Sequence, residues 1–431
     1  MSLSTYPEVK EWLYSLKNRG SRYGIERMLQ LAAALGNLER RLKFIHIAGT
    51  NGKGSTAAML EAIYRDAGYK TGLFTSPHLV HQGERIQVNR RKLTHEQLVT
   101  YTQELIPIAE AIAREDPDLH PSFFEFMTAM ALLHFEREQV DIVLWETGLG
   151  GRLDSTNIVD PLLCIITSIS LEHTDILGHT LAEIAGEKAG IIKKGKPVIL
   201  GKLPLEALGV IQKNAQEHNA PIYRVEARFG ANTADYPQTN LAGSFQRANA
   251  AMALLACERL QPTLPCALDN AAKALLNIDW QGRWDVRTLS DRRTLVLDAA
   301  HNPEGISMLT ENVHQHFVSK GIRPIYIASA LGTPRAQALI PFLCKTGSAI
   351  YLVRPKQERA CTFDELESCA PLDNNIPLIR ADITTLFPKT GTCAIGSETD
   401  VIVVTGSLYL IGEVLEALTL QAPVAEHCLQ D

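Results

Sequence analysis

Short, uninterrupted apolar runs alternate with amphipathic stretches over the first two thirds of the chain. Phe44–Ala48 is one such run; residues 49–54 form a glycine-rich turn, residues 55–67 have helical composition, and residues 70–74 return to a strand. Further buried runs recur at residues 142–145, 162–169 and 197–200, with helical stretches at 124–139 and 180–192 between them. Strands that are apolar on both faces, separated by helices, predict a doubly wound, largely parallel sheet with helices on both sides. In such sheets ligands bind beyond the carboxyl ends of the strands, which tells us where to look for chemistry.

Near residues 278–286 this pattern stops, and a second alternation starts with strands at 294–297, 322–328, 349–353 and 400–404. The expected fold class is therefore α/β: an N-terminal domain with a doubly wound, largely parallel sheet over residues 1–287 and a smaller, Rossmann-like α/β domain over residues 288–431. Residues 229–239 have loop composition and are expected to be a flexible connector.

Composition narrows the function classes. The chain has 431 residues, 45% hydrophobic and 21% charged, with a formal net charge of -6. Its basic residues are scattered in short pieces such as Arg90-Arg91-Lys92 and Lys193-Lys194, so no nucleic-acid partner is expected. The eight cysteines include no CxxC pair and lie mostly in apolar surroundings, which fits reduced thiols in a cytosolic protein. Glu8, Lys10 and Glu11 interrupt the N-terminal segment where a signal peptide would be apolar. The most apolar long stretch, residues 401–420, is broken by Gly406, Ser407, Gly412, Glu413 and Glu416. A cytoplasmic protein with no membrane association is expected.

The sharpest local signal is Gly49-Thr50-Asn51-Gly52-Lys53-Gly54-Ser55, which follows a buried strand and opens a helix. Binding phosphate calls for unhindered backbone N–H groups, a helix N-terminus with its partial positive charge, and a lysine within reach of the outer phosphates. The run supplies all three. It departs from the common G-x-x-x-x-G-K-[ST] spacing, because Ile47 occupies the first glycine position and Gly54 separates Lys53 from Ser55.

This variant loop resembles that of the Mur-ligase-like ATP-dependent amide ligases, and its Gly-Lys-Gly-Ser ending is most similar to the folylpolyglutamate synthase and dihydrofolate synthase family. The likeness continues in order through Thr75-Ser76-Pro77-His78, Glu84-Arg85-Ile86, Phe124-Glu125-Phe126, the run from Glu146 to Asn157, the run from Gly186 to Ile192, Gln246-Arg247-Ala248-Asn249, Gly282-Arg283, the run from Asp298 to Pro303, and Thr405-Gly406-Ser407-Leu408-Tyr409. The resemblance implies ATP bound by residues Gly49, Thr50, Asn51, Gly52, Lys53, Gly54 and Ser55 together with Asn249, Arg283 and Asp298. It implies two magnesium ions held by Ser76, Glu146 and His173, with a carbamate formed from carbon dioxide on Lys188 supporting the second. Ser122, Phe124, Asp154 and Ser155 fall on the folate or pteroate side, together with residues 22–27, and His301 and Ser407 on the glutamate side. Lys53, Lys188 and His301 are the implied catalytic residues.

Taken on their own, several of these residues have plainer readings. Glu146 at a strand end could cap a helix or pair with an arginine as well as hold a metal. His173 reads as a loop or core histidine, and Lys188 beside Glu187 as a solvated charge or an ion pair. Arg283 suits phosphate through its planar fork but equally suits a salt bridge, and the segments around residues 22–27 and 122–124 are consistent with ordinary helix packing.

The implied reaction begins with attack of a substrate carboxylate on the γ-phosphate of ATP. The α-amine of L-glutamate then displaces phosphate from the acyl phosphate. The acceptor would be the γ-carboxylate of a glutamylated tetrahydrofolate, or the benzoate carboxylate of dihydropteroate. A cell-wall Mur ligase is the nearest rival, but the 48 residues before Gly49 are too few for the extra domain expected there. A nucleotide-dependent folate-binding protein without ligase activity is the other, and a monomer is expected throughout. Two departures from the family stand out: Ser329-Ala330-Leu331-Gly332-Thr333-Pro334 lacks an Asp-Lys pair, and Ala299 replaces a glycine before His301. Residues 202–244 are also short for the family.

Overall fold

The computed structural model describes residues 3–16 and 24–419. It has two compact units. The first comprises residues up to His78, Gln82–Asn240 and Ser244–Ile278; the second comprises Leu79–His81, Leu241–Gly243 and the chain from Asp279 onward. Arg287, where the sequence suggests a boundary, lies within the first strand of the second unit's sheet.

The first unit is built on an eight-stranded sheet: β1 Phe44–Ala48, β2 Thr71–Phe74, β3 Ile86–Val88, β4 Arg91–Lys92, β5 Ile142–Glu146, β6 Leu163–Ile166, β7 Val198–Leu200 and β8 Ile222–Arg224. The spatial order is β4-β3-β2-β5-β1-β6-β7-β8. From β2 to β8 the strands run parallel, and the hairpin partners β3 and β4 run antiparallel at one edge. The central strands are buried on both faces, as their unbroken apolar sequences require. β4 and β8 are not legible from hydropathy, because their residues are exposed or half-buried and have no apolar period.

Behind β5 sits an aromatic cluster: the Trp145 ring lies 4.5 Å from that of Phe74 and 5.3 Å from that of Phe44, and its Nε1 donates to Thr156 O at 3.0 Å. Trp145 is fully buried, so truncating it to alanine would cost about 3–5 kcal/mol. The helix Lys53–Asp66 starts where Gly52 takes a left-handed conformation (φ 86°) and ends at Gly68 (φ 91°), where Tyr69 N donates back to Tyr64 O. Residues 229–239 are held by Arg247, whose Nη2 donates to Ala234 O at 2.8 Å and Tyr236 O at 2.6 Å. The expected flexible connector is thus tied down to the helix Ser244–Leu260.

The second unit carries a six-stranded sheet: β9 Asp285–Thr288, β10 Thr294–Asp298, β11 Ile325–Ala328, β12 Ala349–Val353, β13 Leu378–Ala381 and β14 Val401–Thr405. The order is β13-β12-β11-β14-β10-β9, parallel except for β9, which pairs antiparallel with β10. β11 begins only after Pro324, which has no N–H to give to a ladder. Leu79, from the otherwise first-unit part of the sequence, packs in this second core with Leu295, Leu297, Leu410 and Ile411. Among the described residues no helix is long and apolar enough to cross a membrane.

Candidate active site

In the first unit, β1 lies between β5 and β6, so the loop leaving its carboxyl end is flanked by the ends of both neighbours. This is the crevice where an open parallel sheet binds ligands. Gly49 has φ 152°, and a Cβ there would lie 1.8 Å from Thr167 Oγ1, so only glycine fits. The turn is held from β6: Thr50 N donates to Ser168 O at 2.8 Å, Asn51 N to Ser168 Oγ at 3.0 Å, and Thr167 Oγ1 to Asn51 O at 2.6 Å. On its other side a Cβ at Gly52 would come within 2.5 Å of Asn249 Oδ1. Asn249 Nδ2 donates to Gln246 Oε1 at 3.0 Å, and Gln246 Nε2 donates to Ser55 Oγ at 3.3 Å. The sequence-predicted Asn249 therefore stands against the loop, steadied by Gln246.

Two lysines converge on this turn. Lys53 Nζ curls back to donate to Gly49 O at 3.0 Å and Thr50 O at 3.1 Å. Lys188, buried on the helix Leu181–Ala189, donates to Gly49 O at 2.9 Å. Its neighbour Glu187 turns the other way and pairs with Arg152 at 2.7 Å, so adjacent residues face opposite sides of the helix.

Glu146 ends β5 and is buried, with Oε2 accepting from Ser76 N at 3.0 Å. The register places it opposite Ile47, just before the glycine turn. Ser76 and Glu146 are thus brought together. His173 is exposed, in a left-handed conformation at the start of the helix Thr174–Leu177, on the segment that follows the supporting residues Thr167 and Ser168. A carboxylate and a hydroxyl are hard oxygen donors of the kind magnesium accepts while keeping several waters. Among the described residues no group of three or more His, Cys, Asp or Glu could hold a metal, so any ion here would draw on few side chains.

The residues expected on the folate side cluster around the helix Phe123–Arg137. Ser122 caps it: Ser122 N donates to Glu125 Oε2 at 2.7 Å, and Glu125 Oε1 takes Arg27 Nε at 3.0 Å in a buried ion pair. Phe124 presents its ring to Gly148, where a Cβ would lie 2.5 Å away. Ser155 Oγ bonds Thr128 Oγ1 at 2.9 Å. The Asp154 carboxylate is buried and accepts from Leu149 N at 2.7 Å, Thr156 N at 3.0 Å and Thr156 Oγ1 at 2.5 Å. Burial outweighs these donors and holds its pKa above the ordinary aspartate value. Thr156 gives its hydroxyl hydrogen to Asp154, so His46 Nε2, 3.0 Å away, must donate to it. His46 is fully buried, which pushes its pKa down to about 3 and keeps it neutral. Of residues 22–27, those at 22 and 23 lie outside the described residues.

In the second unit the expected residues gather at the carboxyl ends of β10 and β14, which pair Asp298 with Thr405. Asp298 takes Trp284 N at 2.9 Å on one oxygen and Ala300 N at 3.0 Å on the other, tying the Arg283-bearing loop to the strand. Burial raises its pKa, and the nearby Arg283 guanidinium works against that rise. His301 bonds Ala299 O through Nδ1 at 2.7 Å; a carbonyl can only accept, so Nδ1 carries the hydrogen. Ser407 is buried and accepts from Tyr409 N at 3.1 Å.

Sequence reasoning missed Thr167, Ser168 and the His46–Thr156 contact, and picked out Gln246 only as part of a motif, without its role as a brace. A run of hydroxyl residues just past a buried strand next to β1 was the available signal for the first two.

The Mur ligase middle domain family matches residues 47–227. The chain is 36% identical to the dihydrofolate synthase/folylpolyglutamate synthase of Bacillus subtilis, over 96% of this chain and 99% of that protein. Among solved structures it is similar to Mycobacterium tuberculosis folylpolyglutamate synthase complexed with ADP and AMPPCP (TM-score 0.82, 26% identity, covering 96% and 98% of the two chains). It is likewise similar to E. coli FolC in complex with DHPP and ADP (TM-score 0.81, 29% identity, 97% and 98%). With its likeness running from end to end of a relative 36% identical to it, the chain belongs to the dihydrofolate synthase/folylpolyglutamate synthase family of ATP-dependent ligases.

Proposed function

We propose that this protein joins L-glutamate to the γ-carboxylate of a glutamylated tetrahydrofolate through an acyl phosphate, at the expense of ATP. The observation that carries the reading is the pair of lysines, Lys53 and Lys188, drawn onto one carbonyl of a glycine turn at a helix N-terminus. Such a turn offers backbone N–H groups and positive charge to a triphosphate. The substrate carboxylate attacks the γ-phosphorus, ADP leaves, and Lys53 neutralises charge on the transferring group. The glutamate amine then attacks the acyl carbon, and phosphate departs as the amide forms.

Ser76, Glu146 and His173 would hold magnesium, which when bound neutralises phosphate charge and polarises the γ-phosphoryl group. Lys188 would carry a carbamate, its nitrogen having taken up carbon dioxide, and so present an anion rather than a cation to that ion. Asn249, Arg283 and Asp298 serve the nucleotide, and His301 and Ser407 the glutamate. The protein acts on these small molecules as a cytoplasmic monomer.

A second acceptor, dihydropteroate, is favoured by the cluster of Ser122, Phe124, Asp154 and Ser155, which offers an aromatic face beside polar groups for a flat ring. One assay tests both: ADP release measured with dihydropteroate, tetrahydrofolate and glutamate each omitted in turn. Release that needs glutamate and either pterin supports ligation on that pterin. Release indifferent to glutamate would overturn the ligase reading.

A further inference from the structure

The helix Leu181–Ala189, which carries Lys188 to the Gly49 carbonyl, leaves its last carbonyls without full intrahelical partners. Residues 151–157, the stretch that bears Asp154 and Ser155, supply the missing donors. Arg152 N donates to Glu187 O at 2.7 Å, and the Asn157 amide donates to Gly190 O and to Arg152 O, each at 3.0 Å. Both partners are carbonyls, so the nitrogen of Asn157, not its oxygen, must face them. From just beyond the helix, Lys193 Nζ reaches Asn157 O at 3.1 Å. The two backbones also lie in close contact: a Cβ on Gly190 would come 2.4 Å from Arg152 Cα, and one on Gly151 2.8 Å from Glu187 O. Within the stretch, Asp154 N donates to Gly151 O at 3.2 Å and Asn157 N to Asp154 O at 2.9 Å, so Asp154 sits inside the same closed turns. The buried amide of Asn157 thus staples this stretch to the end of the helix.

From this geometry we propose that Asn157 is a positioning residue of the ligase, clamping the stretch that bears Asp154 and Ser155 to the turn that bears Lys188, so that the two move as one piece. The inference rests on the ligase reaction proposed for the chain, in which Lys188 works at the glycine turn and Asp154 and Ser155 at the acceptor. Asn157 itself touches neither phosphate nor acceptor in this role. The carbonyls held from the stretch, those of Glu187 and Gly190, bracket Lys188. Holding both fixes the pitch of that turn, and with it the direction in which the Lys188 side chain leaves the helix. A shift of roughly an ångström at its Nζ would break the bond to Gly49 O, and misplacement on that scale lowers catalysis steeply. An acceptor that orders Asp154 and Ser155 would, through the same ties, order the Lys188 turn, and the coupling runs equally in reverse.

The test starts with amide hydrogen exchange on the full-length protein without ligands. Asn157→Ala should speed exchange at Arg152 and at residues 190–192, whose amides close the helix end, and leave the middle of the helix unchanged. In ligation the same variant should lower kcat about tenfold or more, while the KM for ATP stays within about twofold. Asn157→Ser, whose hydroxyl can donate to one carbonyl but not to both, should lose less. Placed in Lys188→Ala, the Asn157→Ala change should add no further loss, because it acts through that lysine. Glu183→Ala, which removes one arm of the capping box at the opposite end of the helix, should leave kcat within about twofold. A full additional loss in the Lys188→Ala background, an equal loss from Glu183→Ala, or unchanged exchange at residues 190–192 would overturn the proposal. Failure of the unaltered protein to release ADP with glutamate and a pterin would instead sink the ligase reading, and the exchange measurement would then decide the clamp by itself.

Discussion

Lys53 and Lys188 donate to the same carbonyl oxygen, that of Gly49, from 3.0 and 2.9 Å. Two ammonium groups no more than about 6 Å apart repel each other by roughly 3 kcal/mol at an effective dielectric of about 20. An anion between them, or a change of charge on one, removes that cost. On the function proposed above, ATP would supply the first remedy and a carbamate on Lys188 the second.

If Lys53 acts on phosphate charge from the loop, Lys53→Ala should lower ligation at least about 100-fold while leaving the melting temperature within a few degrees of the unaltered protein. Its ammonium bonds only loop carbonyls, so little folding energy depends on it. Turnover above a few per cent would refute the role.

Lys188→Ala should also cripple ligation, but with a distinct signature. A carboxylate-bearing group at that position predicts partial rescue by acetate or other short-chain acids, and none by added amines. Rescue by amines alone would show that the ammonium, not a carbamate, is the working form.

Glu146→Ala and His173→Ala should each raise the magnesium concentration needed for half-maximal activity by about tenfold or more. Glu146 is buried and His173 exposed, so only the glutamate change should also lower stability. An unchanged magnesium titration would remove that residue from the site.

Gly49→Ala should abolish nucleotide binding and destabilise the fold, because its Cβ would collide with Thr167 Oγ1 in addition to the φ penalty. Gly68→Ala is the matching control: φ is 91° but nothing lies within 4 Å, so it should cost only about 1 kcal/mol. Equal losses in urea unfolding would mean that the brace from β6 contributes nothing.

His46 gives a pH signature. Its pKa is depressed to about 3 by burial against an ordinary 6.5, so its contribution to stability is fully present above pH 6.5 and is lost as pH falls toward 3. The total linked to it is at most about 5 kcal/mol, an upper bound for a buried group. Replacing it with Leu should lower stability at pH 7.5 and flatten the loss between pH 6.5 and 4 by about one proton. Parallel curves for the two proteins would exclude His46 as the titrating group.

What the sequence disclosed, and what it withheld, follows from range. The nine strands read from apolar runs all occur, because a doubly covered strand must be apolar at every position. Lys53, Glu146 and Asp298 lie at strand ends or on the turn next to one, where pattern alone directs attention. Lys188 gave no such sign: a lysine beside a glutamate on a helix looks solvated until the sheet shows that its side chain points inward to Gly49. The bracing contacts of Thr167 and Gln246 were hidden for the same reason, since they reach residues more than a hundred positions away.

The path of Leu79 restricts how this protein could be rearranged. The backbone passes between the two units after residues 78, 81, 240, 243 and 278. Leu79 fills the second core beside Gly282 and Ile411, so a cassette beginning at Asp279 would carry a vacant socket among Leu297, Leu410 and Ile411. Recombination that swaps the C-terminal half between relatives would have to carry the tripeptide 79–81 with it, or choose a donor whose socket already matches the residue left behind.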